Sequence, residues 1–172
     1  MLVVLMLLAL ELDPAPWQSI NDGVMGGVSS GSMTVSPNGL VFEGELSLEN
    51  NGGFASVRRN IDEDLSVAKG LQLKVRGDGR TYQARLRHDD RFDGIAWRAE
   101  FPTSTRWQTV TLDFADFEPV FRGRRVIDAG PVAPSKIRQM GFMVADKTPG
   151  PFRLEIGAIQ FLDHHSTPQK SP

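Results

Sequence analysis

The stretch Ser32–Gly44 reads SMTVSPNGLVFEG, and its reading decides the fold class. Two short runs, Ser32–Ser36 and Leu40–Gly44, flank Pro37-Asn38-Gly39. Asn-Gly between apolar runs is a strong hairpin signal, because both residues reach positive φ at little cost. Downstream, the same period of two recurs. Phe54–Arg59 reads as a short strand, and Leu71, Leu73 and Val75 alternate with Gln72 and Lys74. Along Arg80–His88, Tyr82, Ala84 and Leu86 face one way and Gln83, Arg85 and Arg87 the other. Ile95–Phe101, Trp107–Phe114, Lys136–Ala145 and Phe152–Phe161 continue the series, with a bulge expected where Gly157 breaks the alternation. Ile61–Lys69 is a connection with room for one helical turn, Asp89–Gly94 a turn, and Asp116–Pro134 a long excursion. No window much beyond about a dozen residues keeps a helical period. Many short strands with regular turn signals imply a β-sandwich or barrel with little helix.

Upstream, Leu7–Leu12 reads as a first, buried strand that pairs with the last and closes a sheet. The apolar run of residues 1–10 is too short to span a bilayer, which needs roughly 20 residues, so no transmembrane segment is expected. A signal remnant or anchor is the alternative for that run. Residues 1–163 then form a single domain and 164–172 a flexible tail.

Composition narrows the function classes. The chain has 172 residues, 40% hydrophobic and 23% charged, which suits one globular domain with a sizeable core. A net charge of −2 argues against a nucleic-acid partner. Cysteine is absent, so no disulfide, thiolate metal site or cysteine nucleophile exists. Gly27-Val28-Ser29-Ser30-Gly31 matches G-x-S-x-G literally, but a strand-like run follows instead of a helix, and two of the three histidines, His164 and His165, lie in the tail. Gly77-Asp78-Gly79 lacks the third glycine of a dinucleotide fingerprint and reads as a hairpin turn. Asp89, Asp90 and Asp93 lack calcium-loop spacing. These readings point away from an enzyme, a metal site and a cofactor.

Two glycine-rich stretches stand out. Trp17–Gly31 is WQSINDGVMGGVSSG and Asn50–Arg59 is NNGGFASVRR. The first reads as an ordered loop, anchored by Met25 and Val28, bent at its glycines and fixed by Asn21 and Asp22 bonding backbone N–H groups two residues on. Arg76–Tyr82 (RGDGRTY), Phe121-Arg122-Gly123 and Asp146–Phe152 (DKTPGPF) follow. The arginines of the central strands and the excursion, among them Arg58, Arg76, Arg80, Arg85, Arg87, Arg91, Arg98, Arg122, Arg124 and Arg125, suggest a polar face. With Tyr82, Trp97 and Trp107 near, that face could hold a sugar, a carboxylate or a partner segment.

In order along the chain, DGVMGGVSSG, NNGGFASVR, GDGRTY, FRG and GFMVADKTPGPF resemble the complex I intermediate-associated protein family, from about Trp17 to about Phe161. The resemblance implies a jelly roll of galactose-binding type. It implies a non-catalytic assembly chaperone whose protein partners are respiratory-complex subunits or assembly intermediates, with a carbohydrate-binding module as the alternative. The family pattern carries over to Asp22, Met25, Gly26, Gly27, Ser29, Asn51, Gly52, Gly53, Phe54, Arg58, Gly77, Asp78, Gly79, Tyr82, Phe121, Arg122, Gly123 and Phe152. Mitochondrial members carry an arginine-rich leader, which the chain does not show. That implies a bacterial or stand-alone member in the cytoplasm, or an exported or membrane-associated one if residues 1–10 are a signal or anchor. The expected binding residues are Asp22, Met25, Ser29, Asn51, Phe54, Arg58, Asp78, Arg80, Tyr82, Arg85, Trp97 and Arg122. Gly26, Gly27, Gly52, Gly53, Gly77, Gly79 and Gly123 are expected to shape the loops. Asp22 is expected to anchor its loop or to pair with Arg58 or Arg80, and the loops at 22–29, 51–58 and 78–82 to form one surface.

Overall fold

A computed structural model describes residues 6–163, so the reading of a C-terminal tail lies outside the described residues, as do residues 1–5 of the apolar run. The alternating stretches fold as strands, numbered in chain order: β1 (Met6–Ala9), β2 (Gln18–Ser19), β3 (Ser30–Ser36), β4 (Gly39–Leu46), β5 (Ala55–Asn60), β6 (Gly70–Arg76), β7 (Thr81–Arg87), β8 (Ala96–Pro102), β9 (Gln108–Asp113), β10 (Glu118–Phe121), β11 (Arg124–Arg125), β12 (Gln139–Val144) and β13 (Gly150–Leu162). Helix among the described residues is limited to short 3-10 turns.

Two antiparallel sheets result. One runs β3-β4-β13-β6-β9 with β1 added to β13; the other runs β11-β10-β8-β7-β12-β5-β2. The hairpin forms where expected, but Ser36 pairs with Gly39, so Pro37 and Asn38 make the turn, and of Asn38 and Gly39 only Gly39 takes a positive φ, 132. The last strand organises the first sheet. Its first half pairs with β4 and its end with β1, while β6 lies along the other side. The register slips between Ile156 and Ala158, which is the bulge expected at Gly157. The Trp107 ring lies where a Cβ on Gly157 would point, and Arg76 lies over that ring at 4.9 Å.

Inward residues of both sheets form one core. Phe42 and Phe152 meet at 5.0 Å, Tyr82 and Phe101 stack at 6.3 Å, and Trp17 stacks on Phe142 at 5.6 Å. Each fully buried ring or aliphatic side chain contributes about 1.5–3 kcal/mol of transfer free energy. Burial of alternate residues is why period two predicted a β-sandwich; its jelly-roll type is what the family resemblance implied.

Three local expectations are corrected. Gly77-Asp78-Gly79 is not a hairpin turn, because β6 and β7 belong to different sheets. The segment 61–69 contains no helical turn; a single turn bond from Ala68 N–H to the Leu65 carbonyl shapes it. Part of the 116–134 excursion is a small hairpin, β10–β11, turned at Arg122 and Gly123 and added to the edge of the second sheet.

Candidate functional site

The VMGG loop is tied down by a carboxylate. Asp22 is fully buried and accepts the Ser29 N–H at 2.9 Å, the Ser29 hydroxyl at 2.5 Å and the Gly53 N–H at 2.8 Å, with Phe54 N–H more distant at 3.4 Å. Ser29 Oγ in turn accepts the Ser47 N–H at 2.9 Å. A Cβ on Gly27 or on Gly52 would overlap the Asp22 carboxyl, so both glycines are there for close approach. Gly53 sits at φ 139, a conformation that L side chains rarely adopt. Burial pushes the Asp22 pKa up, but the bonds from Ser29, Gly53 and Phe54 outweigh it and hold the carboxyl below its ordinary value. Next to it, Asn21 accepts the Ser56 N–H and donates to the Gly31 carbonyl. Asn21 and Asp22 therefore join β3, the 47–54 segment and β5, rather than closing a local turn.

The side chains expected to anchor this loop do the opposite. Met25 is 63% exposed, Val24 58% and Val28 54%. The correction has a physical reason: once Asp22 supplies the anchor, the apolar side chains are released to solvent.

The crossover at 78–82 lies at the same end of the sandwich. Leu46, one residue before Ser47, pairs with Gly150, and Arg80 donates to the carbonyls of Thr148 and Pro151. Arg80 also pairs with Asp146 at 2.8 Å. Asp78 accepts the Tyr82 hydroxyl at 3.0 Å and the Arg153 N–H at 2.8 Å. Asp22 therefore bonds to neither Arg58 nor Arg80; it anchors its own loop.

Other expected residues lie elsewhere. Arg58 and Arg85 sit on the outer face of the second sheet. Arg58 donates to the Phe92 carbonyl and lies over that ring at 5.5 Å. Arg122 is exposed in the β10–β11 turn and pairs with Asp93 at 2.6 Å. Asn51 is exposed with φ 58 and Phe54 is half-buried. Tyr82 and Trp97 are buried on the inner side of the sheet, away from the arginines. Burial, then the charge of Asp78, drives the Tyr82 hydroxyl's pKa upward. Trp97 stacks on His88 at 3.8 Å and donates to the Gly130 carbonyl. Trp107 belongs to the first sheet's side, beside Lys74 and Arg76. The expected face combining these rings with Arg85 is therefore not assembled.

Register puts more on the outer face than the expected residues. Arg58 is opposite Gly141, Gly141 opposite Arg85, Arg85 opposite Arg98 and Arg98 opposite Glu118, so these residues form one row across five strands. Asn60, Gln139 and Arg87 form the next row. Burial, followed by the charges of Arg87, Arg98 and Arg58, lowers the Arg85 pKa to about 10. Arg58 is also lowered to about 10, by burial and then Arg87, with Asp93 opposing. Arg98 was expected on a polar face but not among the binding residues, and Gly141 and Gln139 were not expected there; only strand order places them beside Arg85 and Arg87.

The fold has close structural counterparts. A family 11 carbohydrate-binding module of the cellulosomal cellulase Lic26A-Cel5E of Clostridium thermocellum superposes with a TM-score of 0.66 at 15% identity, covering 92% of this chain and 98% of that one. At that identity the likeness is one of fold. Among sequence relatives, the mitochondrial Complex I intermediate-associated protein 30 of Mus musculus is 36% identical over 106 residues, 59% of this chain and 32% of the relative. Its Drosophila melanogaster counterpart is 28% identical over 169 residues, 83% of this chain and 57% of the relative. The chain thus spans roughly a third to somewhat over half the length of these relatives. The family model for Complex I intermediate-associated protein 30 (CIA30) matches residues 9–156, and the chain belongs to that family.

Proposed function

We propose that the chain is a non-catalytic interaction module of the assembly-factor type, which holds a protein partner at its loop-rich end. The partners it is built for are subunits or assembly intermediates of respiratory complex I. One observation carries this reading: Val24, Met25 and Val28 stand exposed on a loop whose backbone is fixed by Asp22. Exposed apolar side chains on a pre-ordered loop lose little conformational entropy on binding and suit the centre of a protein contact. Family membership and the relatives' names support the choice of partner. The Ser29 hydroxyl, the only nucleophile suggested by a sequence motif, is buried and committed to Asp22 and Ser47, which favours binding over catalysis.

The carbohydrate-binding alternative draws on the fold alone. A sugar face stacks on open rings, whereas Trp17, Tyr82 and Trp97 are buried, Trp107 is occupied by Lys74 and Arg76, and the exposed rings of Phe92 and Phe121 lie against Arg58 and Arg122. The test is affinity capture of the tagged chain from membranes of its native cell, with complex I subunits identified by mass. The variant Val24→Ser/Met25→Ser/Val28→Ser should recover far less of them while melting as the wild type does. Equal recovery by the variant, or absence of complex I subunits, argues against the reading. Saturable binding of neutral β-glucan oligosaccharides would turn it to the carbohydrate module.

A further inference from the structure

Four guanidinium groups share the outer face of the second sheet: Arg58, Arg85 and Arg98 in one row and Arg87 in the next. On a chain of net charge −2 this is a concentration of one sign. Among the described residues, Arg58, Arg85 and Arg87 form no ion pair, and Arg98 meets Glu118 only at 3.9 Å. The side chain of Arg85 donates to the neutral amide oxygen of Gln83. Two further groups are buried and unpaired. Arg87 and Gln139 are 9% and 8% exposed, yet Arg87 Nε and Gln139 Oε1 have no hydrogen-bond partner. Arg87 Nη2 donates to the Arg91 carbonyl, but a buried donor such as Nε without a partner is costly, and an ion or ligand group that reaches it relieves that cost. Between Arg58 and Arg85 stands Gly141, where any Cβ would press on the Val57 carbonyl and Arg58. Gly141 therefore puts no side chain of its own between the two guanidiniums.

We propose that this face is a second binding site, which takes an extended acidic peptide segment of a partner and pairs its carboxylates with Arg58, Arg85, Arg87 and Arg98. The dimensions favour a chain over a single anion. From β5 to β8 the row crosses three strand spacings of about 4.8 Å, roughly 14 Å, and an extended chain advances about 6.8 Å for every two residues. Three acidic side chains at alternate positions thus span about the length of the row, and the long arginine side chains take up the uneven spacing left by Gly141. Guanidinium binds carboxylate through two parallel bonds, which supplies orientation as well as charge. The site is distinct from the loop end and does not depend on what docks there.

The test uses fluorescence anisotropy with a labelled peptide alternating glutamate and serine, its glutamine twin, and the full chain. The glutamate peptide should bind at least about tenfold tighter than the twin at low salt, and the gap should close as salt rises. Arg85→Gln and Arg98→Gln should each weaken it about tenfold, whereas Arg106→Gln, which removes an exposed charge elsewhere, changes it less than about twofold. Should Arg85→Gln lose its cooperative melt, Arg98→Gln decides alone. Equal affinity for the two peptides, or an equal loss with Arg106→Gln, overturns the proposal. So does binding of inorganic phosphate or oligogalacturonate at concentrations where the glutamate peptide does not bind. Failure here with complex I subunits still captured through the Val24–Val28 loop leaves the proposed function standing; the reverse pattern removes that function and keeps the site.

Discussion

At the scale of single residues, Asp22 joins more of the chain than any other side chain in the glycine loops. Its partners at Ser29 and at Gly53 and Phe54 lie in two segments, 7 and 31–32 residues away. Asp22→Ala leaves buried donors unsatisfied, at about 1–3 kcal/mol for each one that water cannot reach. A loss of about 3 kcal/mol in urea unfolding is expected. The pH dependence has a definite sign. The folded pKa lies below the unfolded value near 3.9, so the contribution is present above about pH 4 and is lost as pH falls through the folded value. The difference between wild type and Asp22→Asn should therefore shrink on acidification; a difference that grows would contradict the assignment. Gly27→Ala, which pushes a methyl into that carboxyl, should cost about 1–3 kcal/mol, and Gly23→Ala, with open space around it, less than about 0.5. Equal melting of the two would remove the close-approach argument.

Elements are held to one another by a few such links, and one of them rests on a neutral histidine. The segment after β11 is pinned to the sheet where Ala133 N–H donates to His88 Nε2 at 3.0 Å and Trp97 Nε1 donates to the Gly130 carbonyl. His88 must be neutral to accept. Burial, then the charge of Lys136, lowers its pKa, with Asp89 opposing. The unfolded chain thus takes up the proton first, and stability falls as pH drops below about 6.5 until the folded group protonates too. Hydrogen exchange, corrected for the intrinsic pH dependence of the amide rate, should show residues 127–136 opening more often as pH falls below about 6.5, with the step absent in His88→Gln; a pH-independent segment would refute it. How far sequence could see this is instructive. Alternation located the strands, since it reports burial on one face, and Asn38-Gly39 gave the hairpin from local turn chemistry. The 77–79 turn misled because its local signal is the same whether the next strand joins the same sheet or the facing one. Asp22 was legible as an anchor but not its partners, because Gly53 lies 31 residues away and only tertiary contact joins them. Arg98 sat in plain alternation, yet nothing short of the strand order could set it beside Arg85.

For the whole molecule, a row of like charges is a cost carried in the folded state and absent in the unfolded one. Burial and the neighbouring guanidiniums lower the pKa of Arg85, which means that its cation is held in an unfavourable place. Among the described residues no carboxylate pairs with Arg85, and its side-chain acceptor is the neutral Gln83 amide. Arg85→Met keeps the aliphatic stem and removes the charge. The variant should melt at the wild-type temperature or above it, with a gain of up to about 1 kcal/mol, since removal of a poorly compensated charge is often neutral or stabilising. Added salt screens repulsion among the remaining arginines and should narrow the gap between the two proteins. Thermal melts at low and high salt decide it. A loss of about 2 kcal/mol or more would show that Arg85 holds the sheet together, and its charge would then need no ligand to account for it. If instead stability is kept while acidic peptide binding is lost, the charge on this face serves recognition and the fold carries it at a cost.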